Sequence, residues 1–368
     1  MRRAAAWLLI GFALTISSGL IAAEPHSRSE QVEFTEKTPL FDSDGNLAAW
    51  GWARRANMQY DRSLIPTARQ ARIKEWEHYT VMSPEFTLGV TLAQLGPLVL
   101  ASAELIDYRY QSIAMATFMS AGKKDKSIFP VDPYGNTRIE RGTDFVSMEF
   151  SGDKRRIQCR FSKGPLSVPF EADLTLVDNP SDDSVAITRP FEGEGQFFYE
   201  NKILGMPATG SAKVNDESYT LPAGAAWAIF DWGRGNWPAE SKWFWGQAAG
   251  KVGERQVALN LGWGYGDDSR GTCNAMLVDG KLHKLDIVDA KFDENDRMQP
   301  WKFESNDGRL ALDFTPIYNQ HSKQDVGFAK AELHKIHGRY TGTLVLDDGT
   351  KLEVKDLLGF AEHMQQRW

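Results

Sequence analysis

The sequence predicts an all-β protein, a barrel or sandwich, and three observations carry that reading. Runs with strict apolar–polar alternation recur at intervals of roughly ten residues. Gly-, Asn- and Asp-containing turn signatures separate them. Almost no stretch shows the 3.6-residue period of an amphipathic helix. Of the 368 residues 42% are hydrophobic and 25% charged, which suits two globular domains. The net charge of −7 and the lack of any Lys/Arg run exclude a nucleic-acid partner.

Taken in order, residues 1–23 read as a signal peptide: Arg2 and Arg3, an apolar run from Ala4 to Leu14, then small residues before Glu24. Cleavage would leave 40 basic against 49 acidic residues, a net charge of −9. An exported protein, periplasmic or extracellular, is expected, with no stable membrane insertion after cleavage. An uncleaved membrane anchor is the lesser alternative, because the apolar run approaches spanning length.

After a polar lead-in to Thr38, the segment Ala68 to Tyr79 begins as a short helix and ends as a strand. Phe86 to Leu95 and Leu98 to Tyr110 are strands around a Gly96-Pro97 turn, and Lys123 to Thr137 is a surface connection. Phe145 to Phe150, Arg156 to Phe161 and Phe170 to Val177 alternate at period two. Hairpin turns are expected at Asn215-Asp216, Asp279-Gly280, Asn306-Asp307-Gly308 and Asp347-Asp348-Gly349. Phe360 to Arg367 reads as a short C-terminal helix. A loose internal echo, Trp76-Glu-His-Tyr through Glu104-Leu-Ile-Asp against Trp243-Phe-Trp-Gly through Met276-Leu-Val-Asp, favours two related β-barrels in tandem. The domains are then 24–195 and 196–368, the second carrying the cluster described next.

Six of the 12 Trp fall between Trp227 and Trp263, interleaved with Gly, Asp and Asn. Indoles this dense wrap around either a ligand or a core between domains. In a strand from Trp227 to Gly233, Trp227, Ile229 and Asp231 share one face and Phe230 and Trp232 the other. Asp231 therefore points into an apolar layer and must be paired, hydrogen-bonded or raised in pKa. Arg234 is the nearest local partner. From Val257 to Tyr265 one face is bulky and the other is Ala258, Asn260, Gly262, Gly264, which lets something approach the backbone closely.

The candidate catalytic residues are Asp231 and Arg234. Trp232, Trp237, Trp243, Trp245, Trp263, Asn260, Asn201 and His337 are the candidate ligand-binding residues. His334 and His337 face opposite ways at strand spacing and do not share a metal, whereas Glu362 and His363 read as surface helix residues. No nucleophile elbow, phosphate loop, dinucleotide fingerprint or H-E-x-x-H motif occurs, and no cofactor or metal is expected. Cys159 and Cys273 read as small buried residues or, alternatively, as a pair across an oxidising compartment.

Long stretches of the mature chain resemble the DUF2804 family, among them Phe41-Asp-Ser-Asp-Gly-Asn-Leu, Asp231-Trp-Gly-Arg-Gly-Asn-Trp-Pro, Trp243-Phe-Trp-Gly, Asn260-Leu-Gly-Trp-Gly-Tyr-Gly-Asp and Asp356-Leu-Leu-Gly-Phe-Ala-Glu. More distantly, the Asp-Trp-Gly and Trp-x-Trp-Gly elements are similar to tandem lipocalin-like proteins of the AttH and carotenoid hydratase type. That resemblance implies two antiparallel calycin-type barrels and a cavity for an apolar small molecule, with Asp231 matching an acid that protonates an alkene. The expected function is binding of a lipid- or isoprenoid-like molecule in a Trp-lined cavity. A cofactor-free hydratase or isomerase is the alternative, and carbohydrate binding a third reading.

Overall fold

The computed structural model describes residues 31–122, 127–325 and 330–367. The expected signal segment lies outside them. No helix among the described residues is long and apolar enough to cross a membrane.

The chain is nearly all β. The first strands are β1 (Thr38–Pro39), β2 (Gly51–Ala53) and β3 (Met58–Gln59), then α1 (Thr67–Gln70), the lone α-helix among the described residues. Next come β4 (Lys74–Met82), β5 (Phe86–Leu95), β6 (Leu98–Asp107), β7 (Ser112–Ala121), β8 (Thr137–Arg141), β9 (Asp144–Ser151), β10 (Lys154–Phe161), β11 (Phe170–Val177) and β12 (Val185–Pro190). The middle of the chain holds β13 (Phe197–Val214), β14 (Glu217–Thr220), β15 (Trp227–Asn236), β16 (Glu240–Val252) and β17 (Arg255–Trp263). The last are β18 (Ala275–Val278), β19 (Lys281–Lys284), β20 (Val288–Lys291), β21 (Trp301–Ser305), β22 (Leu310–Asp325), β23 (Lys330–Val345) and β24 (Lys351–Arg367).

All four expected hairpin turns join strands. Asn215 (φ 54°), Asp279 (φ 49°) and Gly280 (φ 77°) sit in the left-handed region, which Asn, Asp and Gly tolerate and which matches the twist of a tight hairpin. Two large curled sheets result. A 13-stranded sheet follows the order β7-β6-β5-β4-β15-β13-β11-β10-β9-β8, with β12, β14 and β2 joined at β13 and β12. A nine-stranded sheet follows β19-β18-β17-β16-β24-β23-β22-β21-β20. The sheets part between Asn236 and Glu240, so β13, β14 and β15 pair with the first half of the chain although they follow residue 195.

One expectation is corrected. Phe360 to Arg367 is not a helix but the end of β24, paired with β16 on one side and β23 on the other. Ala, Glu, Met, Gln and Arg favour helix in isolation, but two backbone ladders and burial on a sheet interior override a propensity of a few tenths of a kcal/mol per residue.

Alternation along β15 sets the layers. Ala228, Phe230 and Trp232 face the core of the first sheet, with Tyr79, Val90, Phe161 and Phe170. Trp227 and Ile229 face the second sheet and pack with Leu204, Ala258, Leu277 and Phe360. A separate core inside the second sheet holds Leu259, Leu261, Trp301, Phe303, Phe314 and Tyr340. The two sheets thus meet face to face across β13, β15, β16 and β17, and Gly205 lets them close up: a Cβ there would lie 3.1 Å from Ala258 Cβ, at φ 69°.

Candidate functional site

Between the sheets, beside that packed layer, lies a cavity of about 330 Å³. Its wall is aromatic: Trp76, Trp237, Trp243, Trp245, Trp263 and Tyr265 line it, with Phe198 and Phe244. The rings brace one another. Trp76 stacks on Phe198 at 5.6 Å, and Tyr265 meets Phe198, Trp237 and Trp243 edge-on at 4.7–5.6 Å. Edge-to-face packing of this kind holds each ring in one orientation.

Into this apolar wall the strands project a set of buried charges. Glu200 and Lys202 alternate inward on β13, and Asp231 comes from β15. Lys202 Nζ lies 2.8 Å from Asp231 Oδ1 and 2.9 Å from Glu200 Oε2, so one ammonium holds two carboxylates. Trp76 Nε1 donates to Asp231 Oδ2 at 3.1 Å. Across the cavity β24 and β23 supply a second, similar unit. Trp243 Nε1 donates to Glu362 Oε1 at 2.9 Å, and Lys335 Nζ lies 3.9 Å from Glu362 Oε2. The ring of Trp245 sits between the units, with Lys202 Nζ 4.1 Å and Lys335 Nζ 5.8 Å from its centroid. Arg189 adds a third cation, ion-paired to Asp268 and 3.8 Å from Glu200.

Burial raises the Asp231 carboxyl above the ordinary range, and Glu200 adds to this while Lys202 opposes it. Burial likewise raises Glu362 against the pull of Lys335. Lys202 stays protonated, because its two carboxylates outweigh the burial that disfavours its charge. His78, opposite Asp231 on β4, is driven well below its usual pKa by burial and is neutral, its nitrogens engaged by Thr91 Oγ1 at 2.7 Å and Thr80 Oγ1 at 2.8 Å. The cavity therefore offers two carboxyls of raised pKa, each beside an indole N–H and an ammonium.

The sequence-predicted residues divide. Asp231, Trp237, Trp243, Trp245 and Trp263 line the cavity. Arg234 is not the partner of Asp231. Three residues along an extended strand is an odd step, so Arg234 lies on the opposite face, 3.6 Å from Glu75 and 3.5 Å from Glu77 in the first sheet's interior. Trp232 shares that face, with the Arg234 guanidinium 3.9 Å above its ring. Asn201 donates to Ser184 Oγ. Asn260 accepts from Trp245 and Gln247 and donates to the Cys273 carbonyl, which leaves it a support for the Trp245 wall. His337 is buried outside the cavity, 3.0 Å from Tyr108 Oη.

In the sequence Tyr199-Glu200-Asn201 reads as a second polar wall of the cluster, but nothing there joins Glu200 to Lys202, Lys335 and Glu362. Glu200 and Lys202 stand on β13, more than 100 residues before Lys335 on β23 and Glu362 on β24, and Glu362 falls in the segment whose composition reads as helix. Strand parity was the available signal: Phe360 and Glu362 share a face, as do Glu200 and Lys202. Both cysteines are free and buried, Cys159 in the first sheet's core and Cys273 at the cavity wall. Burial pushes both thiols up to about 12.

The family profile described as a domain of unknown function, DUF2804, matches residues 31–368. The chain belongs to the DUF2804 family. No curated protein sequence matches it. Among solved structures, this DUF2804 chain is similar to an AttH-like protein of Nitrosomonas europaea, with 11% identity and a TM-score of 0.50 over 80% of this chain and 92% of that one. It is also similar to kievitone hydratase of Nectria haematococca, with 10% identity and a TM-score of 0.45 over 80% of this chain and 88% of that one. The first likeness concerns the fold: this chain shares the nearly all-β architecture of the AttH-like protein.

Proposed function

We propose that this DUF2804 protein binds a small, largely apolar molecule in the cavity between two tandem lipocalin-like barrels. The observation that carries the reading is the 330 Å³ space walled by five indoles, at the small end of ligand cavities and sized for a ring system or short isoprenoid. Lys202, Lys335 and the two carboxyls would orient a polar end of that ligand. A wide cleft shares Tyr265 and Gln366 with the cavity and forms its approach, and it is lined mainly by polar residues with no Trp among those described. That distribution puts the indoles in the apolar space and the polar residues in the cleft, which favours an apolar guest over a sugar. The signal segment would place this binding outside the cytoplasm.

Tryptophan fluorescence titrated with isoprenoids, phenolic ring compounds and oligosaccharides is the test. A saturable change with an apolar ligand is expected, weakened in Trp243→Ala by at least about tenfold, the loss of one well-packed aromatic contact. Titrations silent to every apolar ligand would remove the reading.

A second reading, a cofactor-free hydratase or isomerase, is favoured by one observation. Asp231 is desolvated, faces the cavity and is separated from Arg234 by the sheet, which suits a proton donor. Its Lys202 contact acts the other way, which puts this reading second. Asp231→Asn should keep ligand affinity and lower turnover by about 10²–10⁴-fold. Unchanged turnover would end this role for Asp231.

A further inference from the structure

Outside the cavity, the second sheet gathers three of its imidazoles into one row. His321 on β22 is the direct cross-strand partner of His334 on β23, and His334 is the partner of His363 on β24. Glu332 stands two residues before His334, on the same face of β23. His321 Nε2 lies 3.1 Å and His334 Nε2 3.7 Å from the same oxygen, Glu332 Oε1. One ligand atom from each of the three residues falls within 4.8 Å of the others.

We propose that His321, Glu332 and His334 form a binding site for a divalent transition-metal ion of the Zn²⁺ class. Zinc bonds of about 2.0–2.1 Å in a tetrahedral arrangement put neighbouring ligand atoms about 3.3 Å apart. The two nitrogen–oxygen separations bracket that value. The two imidazoles lie parallel, 4.1 Å between centroids and 8° between planes. Rotation about χ2, a broad torsion in histidine, turns both Nε2 atoms toward a shared ion. The competing occupant is Lys323, whose Nζ lies 2.9 Å from Glu332 Oε2. It engages the other carboxylate oxygen from a side chain 66% exposed, so it is free to stay there or swing away.

The donor set selects the ion. Two imidazoles and one carboxylate suit Zn²⁺, Ni²⁺, Co²⁺ or Cu²⁺, whereas Mg²⁺ and Ca²⁺ need oxygen cages. Lys323 and the nearby Arg297 guanidinium also work against a hard cation held by charge alone. Three protein ligands leave a position open, as in sites that take water or a substrate group. Glu332 also lines the wide cleft that leads to the cavity, so that open position would lie at the cleft's rim.

The test is Zn²⁺ uptake by the untagged protein at neutral pH, measured by competition with a chromophoric chelator. The variants are His321→Ala and His334→Ala, with far-UV circular dichroism and a thermal melt of each metal-free protein. Saturable uptake of one ion per chain is expected, weakened at least about tenfold in each variant. His321 is 43% exposed in its side chain, so His321→Ala reports on the metal even if His334→Ala perturbs the sheet. Absence of saturable uptake by the wild type, or uptake unchanged in His321→Ala, would overturn the site. Neither result bears on ligand binding in the cavity, so the two proposals stand or fall separately.

Discussion

Replacing Lys202 with methionine is expected to lower the unfolding free energy by about 3–5 kcal/mol at pH 7, as for the loss of one partner from a buried ion cluster. The side chain of Lys202 is 4% exposed, and it is the shared cation of Asp231 and Glu200. Methionine has similar length, so little cavity forms and the loss is electrostatic. The pH dependence separates this from a packing defect. Lys202 is the chief influence lowering Asp231, so its removal lets the folded-state pKa of Asp231 climb further above the unfolded value of about 3.9. A group whose folded pKa is raised contributes stability below the unfolded pKa and loses it as pH rises through the folded value. The deficit of the variant should therefore be widest at neutral pH and shrink as the pH falls to about 3, below the unfolded pKa, where Asp231 is mostly protonated in both states. Urea melts at the two pH values decide it, and equal deficits would mean that the cluster is solvated.

The second large effect lies on the other face of the same strand. Arg234→Met should also lower stability by about 3–5 kcal/mol, yet leave ligand affinity of the folded protein close to that of the wild type. Arg234 is fully buried between Glu75 and Glu77, and its guanidinium donates to the carbonyls of Trp76 and Gly233 at 2.9 Å and of Pro130 at 3.1 Å. Without it, Glu77 loses the main influence opposing its burial, and its carboxyl is pushed further up. Urea melts and fluorescence titration of the same samples test both halves. A variant that unfolds like the wild type but fails to bind would return Arg234 to the site.

Asp231 and Arg234 show where reading the chain succeeds and where it fails. The face of Asp231 followed from parity alone, since Trp227, Ile229 and Asp231 alternate in register in any strand. Choosing Arg234 as its partner used nearness along the chain, and parity already opposed that choice. The true partner, Lys202, is 29 residues away and reaches Asp231 because β13 and β15 pair with Lys202 opposite Asp231. Glu362 shows the same limit more strongly, because the segment carrying it has the composition of a helix.

What the sequence determined by itself was local: strands at period two, hairpins where Asn, Asp and Gly accept a positive φ, and the sidedness of β15 and β17. These follow from steric rules acting within a few residues. Tertiary structure alone decided which charges meet. Lys202 and Asp231, Lys335 and Glu362, and His321 and His334 come from separate strands, and their encounter depends on sheet order and register. Coulomb attraction and desolvation act on distance in space, which distance along the chain does not encode.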